Sequence, residues 1–547
     1  MSEQANVIGI NFGTSYSSIA YMSKDGRTDC IANEDGDRQI ASVLAFTGQE
    51  ESVGSQAQAQ IPRNPNSTVA HFRAQLGKSF TEAEELTGSA APIVEKDSKV
   101  GYNVTLEEGN TQLFSAKEIS TKYLRHLRES AEAFLGNPIT GAVLSVPSYF
   151  TEEQREELKQ AAADAGIKVI QMIHESAAAA LSYGIGHNSS SKDPQDKTVV
   201  VCDMGAHSFD VTVLNVRTGI YNILATAHDT KLGGASFDEN LLKHFVGEFK
   251  KKNKIDVSDN RKALAKLRAA CEVTKKSLSS ANSAPCFVES LADGLDFHAT
   301  INRLRFEMLS KTVFNDALKV IEEVLTKSDL DASEVDEVIM VGGSSRIPKL
   351  ASKFREIFNN ENTKIRSELE PDEVVATGCA VQGSLIADFD DETITSSTHP
   401  VVTLTPHTTK HIGTLNHKGE FITIVPRYTS LPTRRIFEFG NAQQGQTQAY
   451  FALYEGDHDI VTEEIAAPPR EPIEGDDDEE PYEDEPEIVK KVVIKPASKL
   501  LEAVLPLENG LEQGVAKIEV TLTVESDNKV NLVLREKKGN GVVKVQQ

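Results

Sequence analysis

Apolar positions follow two different periods along this chain. From the N-terminus to about residue 386, short apolar runs of strand length alternate with stretches in which apolar residues recur every three or four positions. Thr151 to Gln154 has the spacing of a capping box, and the helix that it starts, EEQREELKQAAADA, stops at Gly166 before the apolar run KVIQMI. A second helix is predicted near Asn260 to Leu278, with Leu264, Leu267, Cys271 and Leu278 on its apolar stripe. DEVIMVGGSSRIPKL reads as strand, Gly-Gly turn and helix start. Strands alternating with helices predict an α/β region over residues 1–386.

Past ADFDDETITSSTHP, residues 387–400, which reads as a linker, the period becomes two: VVTLTPH, GEFITIVP, RRIFEFG, TQAYFALYEGD, KIEVTLTVES and VNLVLREKK. Residues 401–547 are therefore predicted to be all β. They are interrupted at 471–487 by EPIEGDDDEEPYEDEPE, too acidic and proline-rich to pack, which predicts a disordered loop.

Two segments of the first region share one pattern. VIGINFGTSYSSIAY and VVVCDMGAHSFDVTVL each run from an apolar strand through Asn or Asp and a Gly turn into a second strand. The turns carry Asn11, Gly13, Thr14 and Ser15 in one case and Asp203, Gly205, Ser208 and Asp210 in the other. Glycine lets the backbone turn tightly and present its N–H groups to an anion, and a carboxylate at the strand end can hold a metal ion or its waters. Either segment alone is an ordinary hairpin. Their repetition about 190 residues apart, in matching register, points to one phosphate chain gripped from both sides.

With 547 residues, the chain is too long for one core and implies two or three domains. Its net charge of −25 argues against broad contact with nucleic acid and leaves room for at most a local basic patch. The five cysteines, at 30, 202, 271, 286 and 379, are scattered and odd in number, as expected of buried thiols in a reducing compartment. No signal-like start or membrane-length apolar run is present, so a cytoplasmic address is expected. A phosphate site would also need a pocket for a base. Gly342, Gly343 and Ser344 are candidates for it, Gly233 and Gly234 for phosphate or ribose, and Glu272, Lys275, Lys276 and Ser279 share one helix face. Glu175, after KVIQMI, suits either magnesium held through water or a helix cap.

Together, GINFGTSYSSIA, VPSYFTEEQR, HESAAAALSYG, CDMGAHSFDVTVL, KLGGASFDE, RAACEVTKKSLSS, VGGSSRIPKL and PDEVVATGCAVQ resemble, in order and spacing, the nucleotide-binding domain of the DnaK-type, 70-kDa heat-shock chaperones. TPHT, LPTRR and YEGD resemble that family's β-sandwich substrate domain. The resemblance implies an actin-like bilobed α/β ATPase domain with ATP and Mg²⁺ in its cleft, followed by a truncated, lidless β-sandwich. Asn11, Gly13, Thr14, Ser15, Tyr16, Gly205, Ala206, Ser208 and Asp210 would hold phosphates; Gly233, Gly234, Glu272, Lys275, Lys276, Ser279, Gly342, Gly343, Ser344, Arg346 and Asp372 would hold the rest of the nucleotide. Asp203 and Glu175 would meet the metal through water.

The chain also departs from the family pattern. Asn11 replaces an acid, Arg73 stands at the position of the hydrolysis-promoting lysine, and Ala206 and His207 replace glycines, which would narrow the γ-phosphate end. His207 itself is expected to be a packed turn residue. His174-Glu175-Ser176 replaces Asn-Glu-Pro, and the linker lacks the family's Leu-rich segment. These departures resemble the atypical, weakly hydrolysing kind of family member, which pairs with a zuotin-type J-domain protein on the ribosome and helps a catalytic chaperone act on nascent polypeptides. The alternative is an active ATP-hydrolysing chaperone that binds unfolded peptides directly. No membrane or direct DNA contact is expected.

Overall fold

A computed structural model of the chain describes residues 6–88, 90–107, 110–186, 196–217, 219–396, 405–416, 418–465, 487–507 and 512–547. Its first 396 residues are built around two sheets of the same topology. In the first, β1 (Val7–Asn11), β2 (Tyr16–Met22) and β3 (Thr28–Ile31) form an antiparallel meander, and β4 (Gly141–Val146) and β5 (Val169–His174) add in parallel on the other side of β1, giving the order β3-β2-β1-β4-β5. In the second, β6 (Lys197–Met204), β7 (Phe209–Arg217), β8 (Ile220–Asp229), β9 (Glu337–Val341) and β10 (Lys364–Arg366) repeat this as β8-β7-β6-β9-β10. The repeated hairpin of the sequence is the β1–β2 and β6–β7 corner of each sheet. All nine residues of β7 are buried, as expected of a strand covered on both faces.

The helix α1 (Glu152–Asp164) starts where the capping box predicts: Thr151 Oγ1 accepts from Gln154 N at 3.3 Å, and Gln154 Oε1 accepts from Thr151 N at 3.0 Å. Each sheet has its own core, and a third lies between them, where α2 (Glu175–Ser182) packs against a helix at Val374–Ile386. Small residues make that crossing possible. A Cβ at Gly378 would stand 1.8 Å from Ala178 O, so only glycine permits this approach.

The stretch read as a linker is partly helical. A turn of helix occupies Asp391–Ser396, with Thr393 N donating to Asp390 Oδ1 at 2.7 Å and Ile394 buried in the core between the sheets. One capping aspartate and one apolar anchor suffice to fold a segment that is polar by composition. Residues 397–400 lie outside the described residues.

The remainder is β, in two four-stranded sheets that close over one core. Between Gly234 and Asn302, α3 (Gly234–Asn253) and α4 (Arg261–Ser280) precede a hairpin of Ser283–Ala292 and Leu295–Asn302 in the second lobe. The first C-terminal sheet joins β11 (His411–Leu415), β12 (Phe421–Val425), β14 (Gln448–Ile465) and β15 (Glu487–Pro506) in the order β12-β11-β14-β15. The second joins β13 (Thr433–Gly440), β16 (Lys517–Val524), β17 (Val530–Glu536) and β18 (Val542–Gln546) in chain order. Val425, Leu453, Leu505, Val520 and Leu532 fill the space between them. β14 and β15 pair as far as Ile465 and Glu487. Of the acidic stretch 471–487, only Glu487 is described, as the first residue of β15. Among the described residues, no helix is long and apolar enough to cross a membrane.

Candidate nucleotide cleft

The lobes meet beside the second hairpin turn, where Ser148 Oγ donates to Asp210 Oδ2 and Tyr149 OH to Ser208 Oγ. Ser42 Oγ donates to Gly13 O at 2.8 Å, and Gly13 N donates to Ser17 Oγ at 3.2 Å, which fixes the first turn. In the second, Gly205 N donates to Ser208 O, and Gly205 O accepts from Gly234 N at 3.0 Å and from Ser344 Oγ at 2.7 Å. The N–H groups of Thr14, Ser15, Ala206 and His207 take no part in the hydrogen bonds of the described residues. Two turns with unused donors suit an anion. Gly342, at φ +83°, carries the chain past the second turn, where a Cβ would lie 2.3 Å from Met204 O.

Carboxylates gather at the same end. Asp203 sits opposite Asp210 across the β6–β7 pair. Burial first, then the nearby Glu175 and Asp210 charges, hold the Asp203 carboxyl well above the usual carboxylate range. Burial pushes Asp210 up to about 6, against the opposing hydrogen bond from Ser148 Oγ. Asn11 accepts from Ser145 Oγ at 3.0 Å and adds no charge. Among the described residues no three His, Cys, Asp or Glu side chains converge to hold a metal by themselves. A magnesium ion here would take most of its oxygens from phosphate and water, which is how this ion is usually bound.

Glu175, the first residue of α2, is engaged in an ion pair. Arg73 Nη2 lies 2.6 Å from Glu175 Oε1, both side chains are largely buried, and the guanidinium stacks over Phe150 at 5.2 Å. Arg73 Nε is buried without a partner among the described residues, a spare donor at the edge of the cleft. His207 packs as a turn residue: its Nε2 is 3.1 Å from His71 Nε2, with ring centroids 4.3 Å apart, so the two lobes touch there. Burial lowers both imidazoles, His207 to about 4, so the pair is neutral at pH 7.

At the other end of the cleft, the face read on α4 divides. Tyr16 OH donates to Glu272 Oε1 at 2.7 Å and accepts from Gln58 Nε2 at 3.3 Å, while Lys276 Nζ sits over the Tyr16 ring at 4.7 Å. Lys275 turns away from that cluster, to Asp238 Oδ2 at 2.6 Å and Gly234 O at 3.0 Å. Ser279 bonds back to its own helix at Lys275 O. Arg346 bridges Glu370 and Asp372, beside Gly343 in the turn after β9. Gly233 lies against the backbone of Ala206. A Cβ on Gly234 would stand 2.6 Å from Ser344 Oγ and 3.0 Å from Lys275 Nζ, which ties both phosphate-side glycines to the second turn.

Sequence reasoning missed Ser145, Ser148, Gln58, His71 and Asp238. Asp238 has the strongest chemistry of these: it is buried, its Oδ1 has no partner among the described residues, and burial pushes it up to about 6 in spite of Lys275. Its place four residues after Gly234, on the first turns of α3, was the available signal. The donors, carboxylates and orphaned polar atoms together fit a nucleoside triphosphate with its metal.

The sequence model of the family described as Hsp70 protein matches residues 7–466. A heat shock protein 70 homolog of Schizosaccharomyces pombe is 39% identical, over 98% of this chain and 95% of its own length. The ribosome-associated complex subunit SSZ1 of Saccharomyces cerevisiae is 36% identical, over 98% of this chain and 99% of its own. A ribosome-associated molecular chaperone of Eremothecium gossypii is 36% identical, over 83% of this chain and 72% of its own.

Proposed function

The chain belongs to the Hsp70 family, and from that premise we propose that it is an atypical chaperone subunit that holds ATP with little hydrolysis. In this reading it pairs stably with a zuotin-type J-domain protein on the ribosome and helps a catalytic chaperone act on nascent polypeptides. Similarity to SSZ1 along almost the full length of both chains supports the ribosomal assignment. Residues 1–386 form the nucleotide domain, 387–400 the connection and 401–547 a substrate-type sandwich.

Within the cleft, the turns at Gly13–Tyr16 and Gly205–Ser208 would bind phosphate oxygens, and Asp203 and Asp210 would hold a magnesium ion through its waters. That ion, when bound, neutralises phosphate charge. Glu272, Lys276, Gly342, Ser344, Arg346 and Asp372 enclose the adenosine side, and Lys275 with Ser279 supports that wall.

The observation that carries the reading is the buried Arg73–Glu175 pair. A planar guanidinium locked to a carboxylate and stacked on Phe150 is poorly placed to orient an attacking water, and it occupies the carboxylate that would otherwise help to do so. Single-turnover hydrolysis on the pure protein tests this. Nucleotide should be recovered as ATP, and Arg73→Lys should accelerate cleavage. Wild-type turnover equal to that of an ordinary catalytic family member would overturn it.

A further inference from the structure

The second lobe carries a cleft of about 540 Å³, lined by Lys243, Glu248, Lys251, Thr300, Asn302 and Arg305 among others. In a chain with net charge −25, this cleft gathers three exposed cations and a single carboxylate. Lys243, Lys251 and Arg305 are exposed, and none forms an ion pair among the described residues. A second cleft of about 600 Å³ in the first lobe gives the contrast. There Lys96, Lys99, Lys117 and Lys122 are each tied to a carboxylate, at Glu118, Glu157, Asp164 and Glu51, and of its cations Arg125 alone forms no ion pair among the described residues. The difference lies in pairing, not in the number of lysines.

A second observation is independent of charge. Gly247 lies in the middle of α3 and lines the same cleft. A Cβ there would meet nothing within 4 Å. Glycine inside a helix costs about 1 kcal/mol relative to alanine. Packing does not require it, but an open floor does.

We propose that this cleft binds the phosphodiester backbone of RNA directly. The proposal rests on the ribosomal reading above for its choice of polyanion. Lys243 and Lys251 are eight residues apart on one helix, about 12 Å at the helical rise per residue, which is too far for one small anion and suits several successive nucleotides. Glu248, 3.4 Å from His244 on the same wall, can accept a hydrogen bond from a ribose 2′-hydroxyl, a donor that DNA and a polyglutamate side chain lack. Burial lowers His244, so at pH 7 this imidazole adds no charge and the three unpaired cations set the attraction.

Fluorescence anisotropy on the pure full-length protein tests the proposal, with a labelled RNA hairpin, DNA of the same sequence, polyglutamate and tripolyphosphate as probes. RNA should bind best, with a log–log salt slope of about −2 to −3 for three phosphate contacts. The triple variant Lys243→Glu, Lys251→Glu, Arg305→Glu should lose more than about tenfold in affinity. Gly247→Leu should bind severalfold more weakly while melting no lower than wild type, which separates a filled cleft from a damaged fold. RNA binding unchanged by these substitutions, polyglutamate or tripolyphosphate bound as tightly as RNA, or no RNA binding at low salt would each overturn it. None of these outcomes bears on single-turnover hydrolysis or on association with a J-domain protein.

Discussion

Arg427 of the β-sandwich and Glu334 of the second lobe form a buried ion pair, Nη2 to Oε1 at 2.5 Å, with the two side chains 6% and 9% exposed. The same guanidinium donates to Asp329 O at 3.2 Å, and Tyr428 OH donates to Ser328 O at 2.9 Å. Asn222 Nδ2 donates to Ser430 Oγ at 2.8 Å and to Tyr428 O at 3.2 Å. One loop of the sandwich, residues 427–430, thus holds it against the second lobe.

Arg427→Ala should release the sandwich without unfolding it. An uncompensated buried carboxylate costs about 3–5 kcal/mol, but here Glu334 escapes that cost if the interface opens and water reaches it. Small-angle scattering should show a larger radius of gyration, and calorimetry should show separate transitions for the lobes and the sandwich. An unchanged radius with one lowered transition would mean that the pair supports folding and not docking.

Asp210→Asn should stabilise the ligand-free protein and weaken magnesium–ATP binding. The folded carboxyl titrates at about 6 against a reference of 3.8. A raised acid favours the fold below the unfolded value, and that contribution is lost as pH rises through the folded value; at pH 7 ionisation therefore costs about 3 kcal/mol. Asparagine keeps an acceptor for Ser148. Melting at pH 7 should rise by a few degrees, and the gain should vanish near pH 4. His207 acts in the opposite sense: its lowered value removes stability as pH falls from 6.5 toward 4, so His207→Gln should flatten the acid limb of the wild-type profile.

Tyr16→Phe should quicken nucleotide release. The hydroxyl ties the first lobe to Glu272 in the second, and removing one such bond weakens closure by about 1 kcal/mol, roughly fivefold in rate. Stopped-flow with a fluorescent ATP analogue should show faster dissociation with association nearly unchanged. An unaltered dissociation rate would show that this contact does not hold the cleft shut.

Local chemistry was legible in the sequence, and pairing across the cleft was not. The hairpins at Asn11 and Asp203, the Thr151 cap and the Gly342 turn follow from neighbouring residues, and each is where the pattern puts it. Arg73 meeting Glu175, 102 positions away, and Tyr16 meeting Glu272, 256 away, depend on how two sheets close on one another, which leaves no periodic trace. Lys275 illustrates the limit. Helical spacing groups it with Lys276, but buried Asp238 draws it to the other side, and a buried carboxylate looks like any surface acid in a sequence. Ile394 erred in the other direction, since one apolar residue among acids and hydroxyls carries too little signal to reveal a helix.

The shared topology of the two sheets makes Asn11 and Asp203 structural equivalents, as are their cross-strand neighbours Ser18 and Asp210. A site built by duplication need not remain symmetric. Here one half carries the neutral Asn11 and the other two carboxylates, so a cation held between them would be drawn to the second lobe and would add little to the force between the halves. The lobes are held together instead by contacts such as Tyr16–Glu272 and His71–His207. Nucleotide in such a cleft acts as a keystone, a part that stays in place because the arch is closed around it.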